Sequence, residues 1–165
     1  MSKAVMLSIR PKWVEKIANG EKTIEIRKTK PNLPTPFKCY IYCTLPKYPH
    51  EDFIATDYPM PQFYGGGKVI GEFTCERIAL IAYDGGELSS TTNAAFSPAT
   101  CLTQSETIAY IGDKGRCYGW HMSDLRIYDT PRELSEFTGL RNTRFGAEPY
   151  DIKRPPQSWC YVEVC

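Results

Sequence analysis

The sequence predicts an α+β domain, a mixed β-barrel of about six strands with two or three short helices. Three observations carry this. Several runs alternate apolar and polar residues between clusters of Gly, Pro, Ser and Asn, as half-buried strands do. Helical spacing appears only in short stretches, each opened by a proline or a capping box. These runs follow one another in mixed order with no repeat and no dividing linker, so the 165 residues read as a single domain, 1–165.

Residues 4–9 are apolar enough for a first strand, leading through Arg10 into a helix. Pro11 suits the first helical position, where its missing N–H is no loss. Trp13, Val14, Ile17 and Ala18 form one apolar face, and Gly20 fits the left-handed residue that stops a helix. The period then changes from 3.6 to 2. Ile24 and Ile26 point one way, Thr23, Glu25 and Arg27 the other, with Lys22 at the mouth of the strand. Two readings of that polar face stand side by side: a built site of cation, anion and cation on rigid backbone, or a solvated strand carrying a surface ion pair.

Residues 29–36 hold three prolines and read as a loop. The strand over 37–44 alternates Phe, Cys, Ile and Cys with Lys, Tyr, Tyr and Thr, which puts Tyr40 and Tyr42 on its outer or groove side. Residues 45–67 form a long loop insertion whose Tyr48, Phe53, Tyr58, Phe63 and Tyr64 either stack on a base or anchor the loop to the barrel. Its closing Gly65-Gly66-Gly67 is not followed by the Gly-Lys-Ser/Thr of a phosphate loop. The next strand covers 68–82, with Gly71 marking a bend or bulge.

A second insertion, 84–103, is rich in Gly, Ser, Thr and Asn through residue 100 and is expected to be mobile. Thr103 and Glu106 form a capping box for a short helix ending at Gly112. Residues 117–128 return to strand character, broken near Ser123-Asp124. A further capping box, Thr130-Pro131-Arg132-Glu133, predicts a helix through Phe137 that stops at Gly139. Residues 158–164 make the closing strand.

Composition narrows the function. The net charge of +1 argues against a generally basic nucleic-acid binder, but residues 1–38 hold nine Lys/Arg against three Asp/Glu. That distribution favours a local anion site over a phosphate-coating surface. Seven cysteines, an odd count without a secretory signal pattern, argue against a disulfide framework and for a cytoplasmic protein. Cys39 and Cys43 face one side of a strand, yet no CxxC pair occurs and only His50 and His121 could assist, so no metal and no cofactor are expected. No apolar run approaches the length of a membrane span.

Gly20-x-Lys22-x-x-Glu25-x-Arg27, preceded by a strand and a short Pro-Trp helix, resembles the signature of the ASCH family. The whole chain is most similar to small bacterial and prophage members, leaving roughly 45–67 and 84–103 unaligned. The resemblance implies a PUA-like barrel linked to RNA and modified nucleosides, and it tips the polar face toward a site. The leading expectation is a module binding RNA or a nucleotide, base and phosphate, in a groove beside the motif. Arg10 and Arg27 would pair with phosphate, helped weakly by N–H groups at the helix start. Glu25 would accept from an exocyclic amine, and Trp120, Tyr40 or a loop aromatic would stack. Ser8, Gln157 and Ser158 are polar lining. Trp13 and Trp159 are read as core.

The resemblance also implies an enzymatic alternative, an amidohydrolase acting on acylated cytidine-type nucleosides through the motif lysine, a threonine three residues on and a distant glutamate. Lys22 matches the lysine, Glu25 replaces the threonine, and Glu72 is a guess for the glutamate. The catalytic residues would then be Lys22 and Glu25, although a carboxylate beside Lys22 should hold it protonated. A ribonuclease, with His121 as a speculative acid–base, is a further possibility. A third class is a phage-type protein that sequesters a nucleotide without turnover.

Overall fold

The computed structural model describes residues 2–45, 53–55, 62–64 and 66–165. In chain order the elements are β1 (Lys3–Ile9), α1 (Pro11–Ala18), β2 (Ile24–Arg27), β3 (Phe37–Cys43), β4 (Phe53–Ala55), β5 (Gln62–Tyr64), β6 (Lys68–Asp84), β7 (Glu87–Ser90), α2 (Gln104–Ile111), β8 (Arg116–Arg132), β9 (Thr138–Thr143), β10 (Gly146–Asp151) and β11 (Trp159–Glu163). β4 and β5 pair only with each other; the other nine strands form one sheet in the order β10-β9-β11-β1-β3-β6-β8-β2, with β7 added to β6. β1 and β3 run parallel and every other neighbouring pair is antiparallel. Among the described residues no helix is long and apolar enough to cross a membrane.

The α+β class holds, but the closed six-stranded barrel does not. The sheet has nine strands, and its terminal strands, β10 and β2, share no ladder. The curl comes from the two 17-residue strands β6 and β8, whose pairing shifts register at three places. β2 is only four residues long, and its far end meets β1 and the approach to β11 through a side chain rather than a ladder.

Inside the curl lies one core, built from Val5, Leu7 and Ile9 of β1, Val14 and Ile17 of α1, Cys39 and Ile41 of β3, Phe73 of β6 and Trp120 of β8. The predicted helix is α1 as drawn from sequence: Pro11 opens it, Arg10 precedes it in extended conformation, and Gly20 has φ +85° just beyond its end. Burying its Val14, Ile17 and Ala18 fixes the angle at which the chain turns into β2.

Three corrections follow from cores the sequence did not announce. Tyr40 and Tyr42 do not face the motif cleft: both are buried in a second core with Met6, Val69, Phe137 and Val162, and Tyr40 borders a separate hollow beside Glu72. Phe137, Tyr150 and Ile152, in and beside the β9–β10 hairpin of 138–151, complete that core. The helix expected from Thr130 is absent, since β8 runs on to Arg132 and only a 3-10 turn, Leu134–Glu136, follows, capped by Glu133 and Glu136. The segment 84–103 is structured, with β7 paired to β6 and two 3-10 turns whose Ala94 and Ala95 join Ile24, Ile26 and Ile81 in a third core. All four residues of β2 are buried, which alternation alone reads as one face in and one out.

Candidate functional site

Turning the chain at Gly20 brings the end of β1, the start of α1, β2 and α2 around one cleft of about 600 Å³. Its wall includes Ser8, Arg10, Lys22, Glu25, Arg27 and Gln157 from among the residues expected from sequence. Ser158 stands directly behind, its hydroxyl accepting from Arg27 Nη1 at 3.2 Å. Trp13, Thr44, Leu102, Glu106 and Tyr110 also line the cleft and were not assigned to it. α2 was legible as a helix, but nothing in its sequence says that it packs opposite the motif.

The motif side chains are far more buried than surface charges. Lys22 is 2% exposed and Glu25 6%. Lys22 Nζ donates to the Thr100 carbonyl at 2.6 Å and lies 5.1 Å from the centre of the Trp13 ring, a cation–π distance. Burial lowers the Lys22 pKa from its ordinary value, with Glu25 opposing the shift. This reverses the sequence argument, in which the neighbouring carboxylate dominated: desolvation of the ammonium outweighs it.

Arg27 is also buried, and its two terminal nitrogens are turned into the protein. Nη2 donates to the Ser8 carbonyl at 2.8 Å, Nη1 donates to the Ser158 carbonyl at 3.2 Å, and Nε lies 3.4 Å from Glu25 Oε1. The expectation that Arg27 pairs with phosphate therefore meets a guanidinium already turned to two carbonyls. Glu25 Oε2 is a buried acceptor and Arg27 Nε a buried donor with no hydrogen-bond partner among the described residues. An orphaned carboxylate oxygen on a cleft wall is the arrangement a ligand N–H would complete.

Arg10 is exposed at the rim. The helix start beside it offers an anion little. Pro11 has no N–H, and those of Trp13 and Val14 turn back to the Arg10 carbonyl. Ser8 likewise spends its hydroxyl, donating to the Pro156 carbonyl at 2.6 Å. Glu106 reaches the cleft while its carboxylate accepts from the Thr103 N–H, which holds its pKa below the ordinary carboxylate range.

The two named stacking candidates are displaced. Trp120 is fully buried, its ring packed against Phe37 and Trp159 at centroid distances of 5.8 and 6.2 Å, although it pairs with Glu25 across the ladder and shares its face. Tyr40 packs on Phe137 across the sheet, and its hydroxyl accepts from the Cys165 N–H. Trp13, expected in the core, packs against its edge and also lines the cleft, as does Tyr110. Tyr48 and Tyr58 and the side chains of Phe53, Phe63 and Tyr64 lie outside the described residues. Glu72 belongs elsewhere, pairing with Lys38 at 2.5 Å and with Arg126 at 3.9 Å beside a separate hollow. His121 also stands apart, its Nε2 2.7 Å from Thr92 Oγ1. Among the described residues no three His, Cys, Asp or Glu side chains gather as metal ligands would.

No family model matches the sequence, and a comparison with curated proteins found no match. Solved structures do match. An ASCH protein from Zymomonas mobilis superposes with a TM-score of 0.62 at 18% identity, over 97% of this chain and 87% of that one. Crystal structures of a Tyr-to-Phe and a Ser-to-Ala variant from the same organism give TM-scores of 0.55 and 0.61 at 18% and 19% identity, again over 97% of this chain and over 90% and 88% of theirs. The chain thus has the ASCH fold, as the motif anticipated.

Proposed function

We propose that the protein binds RNA or a nucleotide, holding a base and its phosphate in the cleft beside the Gly20–Arg27 motif. The observation that carries this is the Glu25 carboxylate, paired with Arg27 on the cleft wall yet left with one oxygen without a partner among the described residues. Glu25 Oε2 would accept from the exocyclic amine of a base, an interaction suited to cytosine-type edges. Trp13 would stack on the base, and Arg10 at the rim would meet the phosphate. Arg27 acts through Glu25, positioning it. Isothermal titration with the common nucleosides and their monophosphates tests the reading. Binding that favours amine-bearing bases, and falls at least about tenfold in Glu25→Gln, supports it, since a lost charged hydrogen bond costs about 1.5–3 kcal/mol. Equal affinity in the variant refutes the role of Glu25.

A second reading, the amidohydrolase on acylated cytidine-type nucleosides, is favoured by one observation: burial lowers the Lys22 pKa, raising the fraction of neutral amine that base chemistry requires. Against it stand Glu25 at the threonine position and Glu72 on another part of the surface. Release of acetate from acetylcytidine, lost in Lys22→Ala, would establish turnover in this cleft. A phage-type sequestering protein is the same binding site without that release.

A further inference from the structure

Next to the cleft, around the end of β2, runs a groove of about 690 Å³ lined by Lys28, Thr29, Lys30, Leu80, Lys114, Arg116 and Tyr118, among others. Its four cations come from two separate stretches of chain, 28–30 and 114–116, and no carboxylate is among the described residues that line the groove. All four are exposed, and none forms an ion pair with a described carboxylate. In a chain with twenty Lys/Arg against nineteen Asp/Glu, this is a concentration of uncompensated positive charge. Like charges held together without counter-charges repel, and a polyanion relieves that repulsion.

The groove is also partly aromatic and apolar. Lys30 Nζ sits 6.0 Å from the Tyr118 ring centre, and Leu80 is 41% exposed. Tyr110 joins the two hollows: it lines the cleft, while Lys28 Nζ lies 5.2 Å from its ring centre on the groove side. Arg27 and Lys28, adjacent in sequence, thus serve opposite sides of one wall.

We propose that this groove carries the sugar–phosphate backbone of a short single-stranded nucleic acid whose neighbouring base occupies the cleft. The proposal rests on the nucleotide-binding reading above and goes beyond it by choosing an oligonucleotide over a mononucleotide. Cations tracking a backbone, with rings on which a base can lie, are the elements of single-strand binding. Four cations in a confined groove match a few phosphates, not a long duplex.

The test is fluorescence anisotropy with a labelled dinucleotide, tetranucleotide and octanucleotide, alongside calorimetry with monophosphates. The wild type is compared with a Lys30→Ala, Lys114→Ala, Arg116→Ala triple variant, whose substitutions fall on exposed side chains outside the cleft. Expected are wild-type affinity that rises with length and a loss of about tenfold or more for the octanucleotide in the variant. The log–log salt slope should flatten by about 2, for three phosphate contacts at ~0.7 each. Monophosphate binding should stay as it was. If the wild type binds monophosphates but gains nothing with length, the groove proposal fails and the cleft reading stands. If neither monophosphates nor oligonucleotides bind, both fail. A duplex or inorganic polyphosphate binding as tightly as the single strand would also overturn the proposal.

Discussion

Arg27 Nη2 donates to the Ser8 carbonyl at 2.8 Å, joining β2 to β1 where no backbone ladder does. Nη1 makes the matching bond to the Ser158 carbonyl, just ahead of β11. One guanidinium therefore fastens the short last strand of the curled sheet to the strands opposite and holds Glu25 on the cleft wall. From sequence, Arg27 reads as an anion-binding residue that could be removed without harm to the fold. Its surroundings assign it a structural duty first.

Removing that side chain should accordingly cost stability. Arg27→Ala takes the guanidinium from the Ser8 carbonyl, leaves the Ser158 carbonyl with only the Ser8 N–H, and strands buried Glu25 without its cation, for which about 3–5 kcal/mol is the usual loss. Arg27→Lys should recover only part, since an ammonium cannot reproduce the fork. Urea denaturation with circular dichroism measures this; an unchanged midpoint in Arg27→Ala would show that the curl closes without the guanidinium.

Lys22 gives a prediction with a sign. Its folded pKa lies below the ordinary 10.5, so in the window between the two the unfolded chain binds more protons than the folded one. Stability owed to this residue then rises with pH across that window, and its cost is full below the folded value. Lys22→Met, which keeps the length without the charge, should be as stable as the wild type or more so at neutral pH. The advantage should shrink toward pH 10.5. The readout is the difference between the two proteins' denaturation midpoints, because buried thiols and tyrosines titrate in both. A difference that does not change with pH would mean that Lys22 is not depressed.

What the sequence could convey was local. Pro11, the apolar face of α1, Gly20 and the Thr103–Glu106 box each act within a few residues, and all appear where the spacing puts them. The strand periods of 37–43 and 24–27 were equally plain, but a period of 2 reports which residues share a face, not what covers it. Tyr40 and Glu25 show the consequence. Each sits on a polar-looking face, one sealed under the β9–β10 hairpin and the other opening to a cleft against α2. Those partners lie about a hundred residues away in the chain for Tyr40 and about eighty for Glu25, a separation that local pattern does not carry. Trp13 and Trp120 were exchanged for the same reason.

That exchange can be read optically. Trp13 lines the cleft, whereas Trp120 is sealed between two rings. A nucleotide that stacks in the cleft should quench intrinsic fluorescence, and Trp13→Phe should abolish most of the change with little effect on stability. Trp120→Ala should lose about 3–5 kcal/mol, while Trp120→Phe should keep the ligand response. Quenching that survives in Trp13→Phe would place the base elsewhere.

Gly71 tests the curl itself. It falls where β6 shifts register against β8, and a Cβ there would come within 2.5 Å of the Arg126 carbonyl and 3.2 Å of Ile127 Cα. The nearest obstacle is backbone, so it cannot swing aside as a side chain could. Gly71→Ala must push the two long strands apart at the place where the sheet bends around its core. A loss of about 1–3 kcal/mol is expected, the range for overpacking. By contrast, Gly20→Ala meets no atom within 4 Å and should cost about 1 kcal/mol, from its positive φ alone. Denaturation midpoints for the pair separate a steric cause from a conformational one. If Gly71→Ala proved the milder of the two, the close strand approach would not be what shapes the sheet.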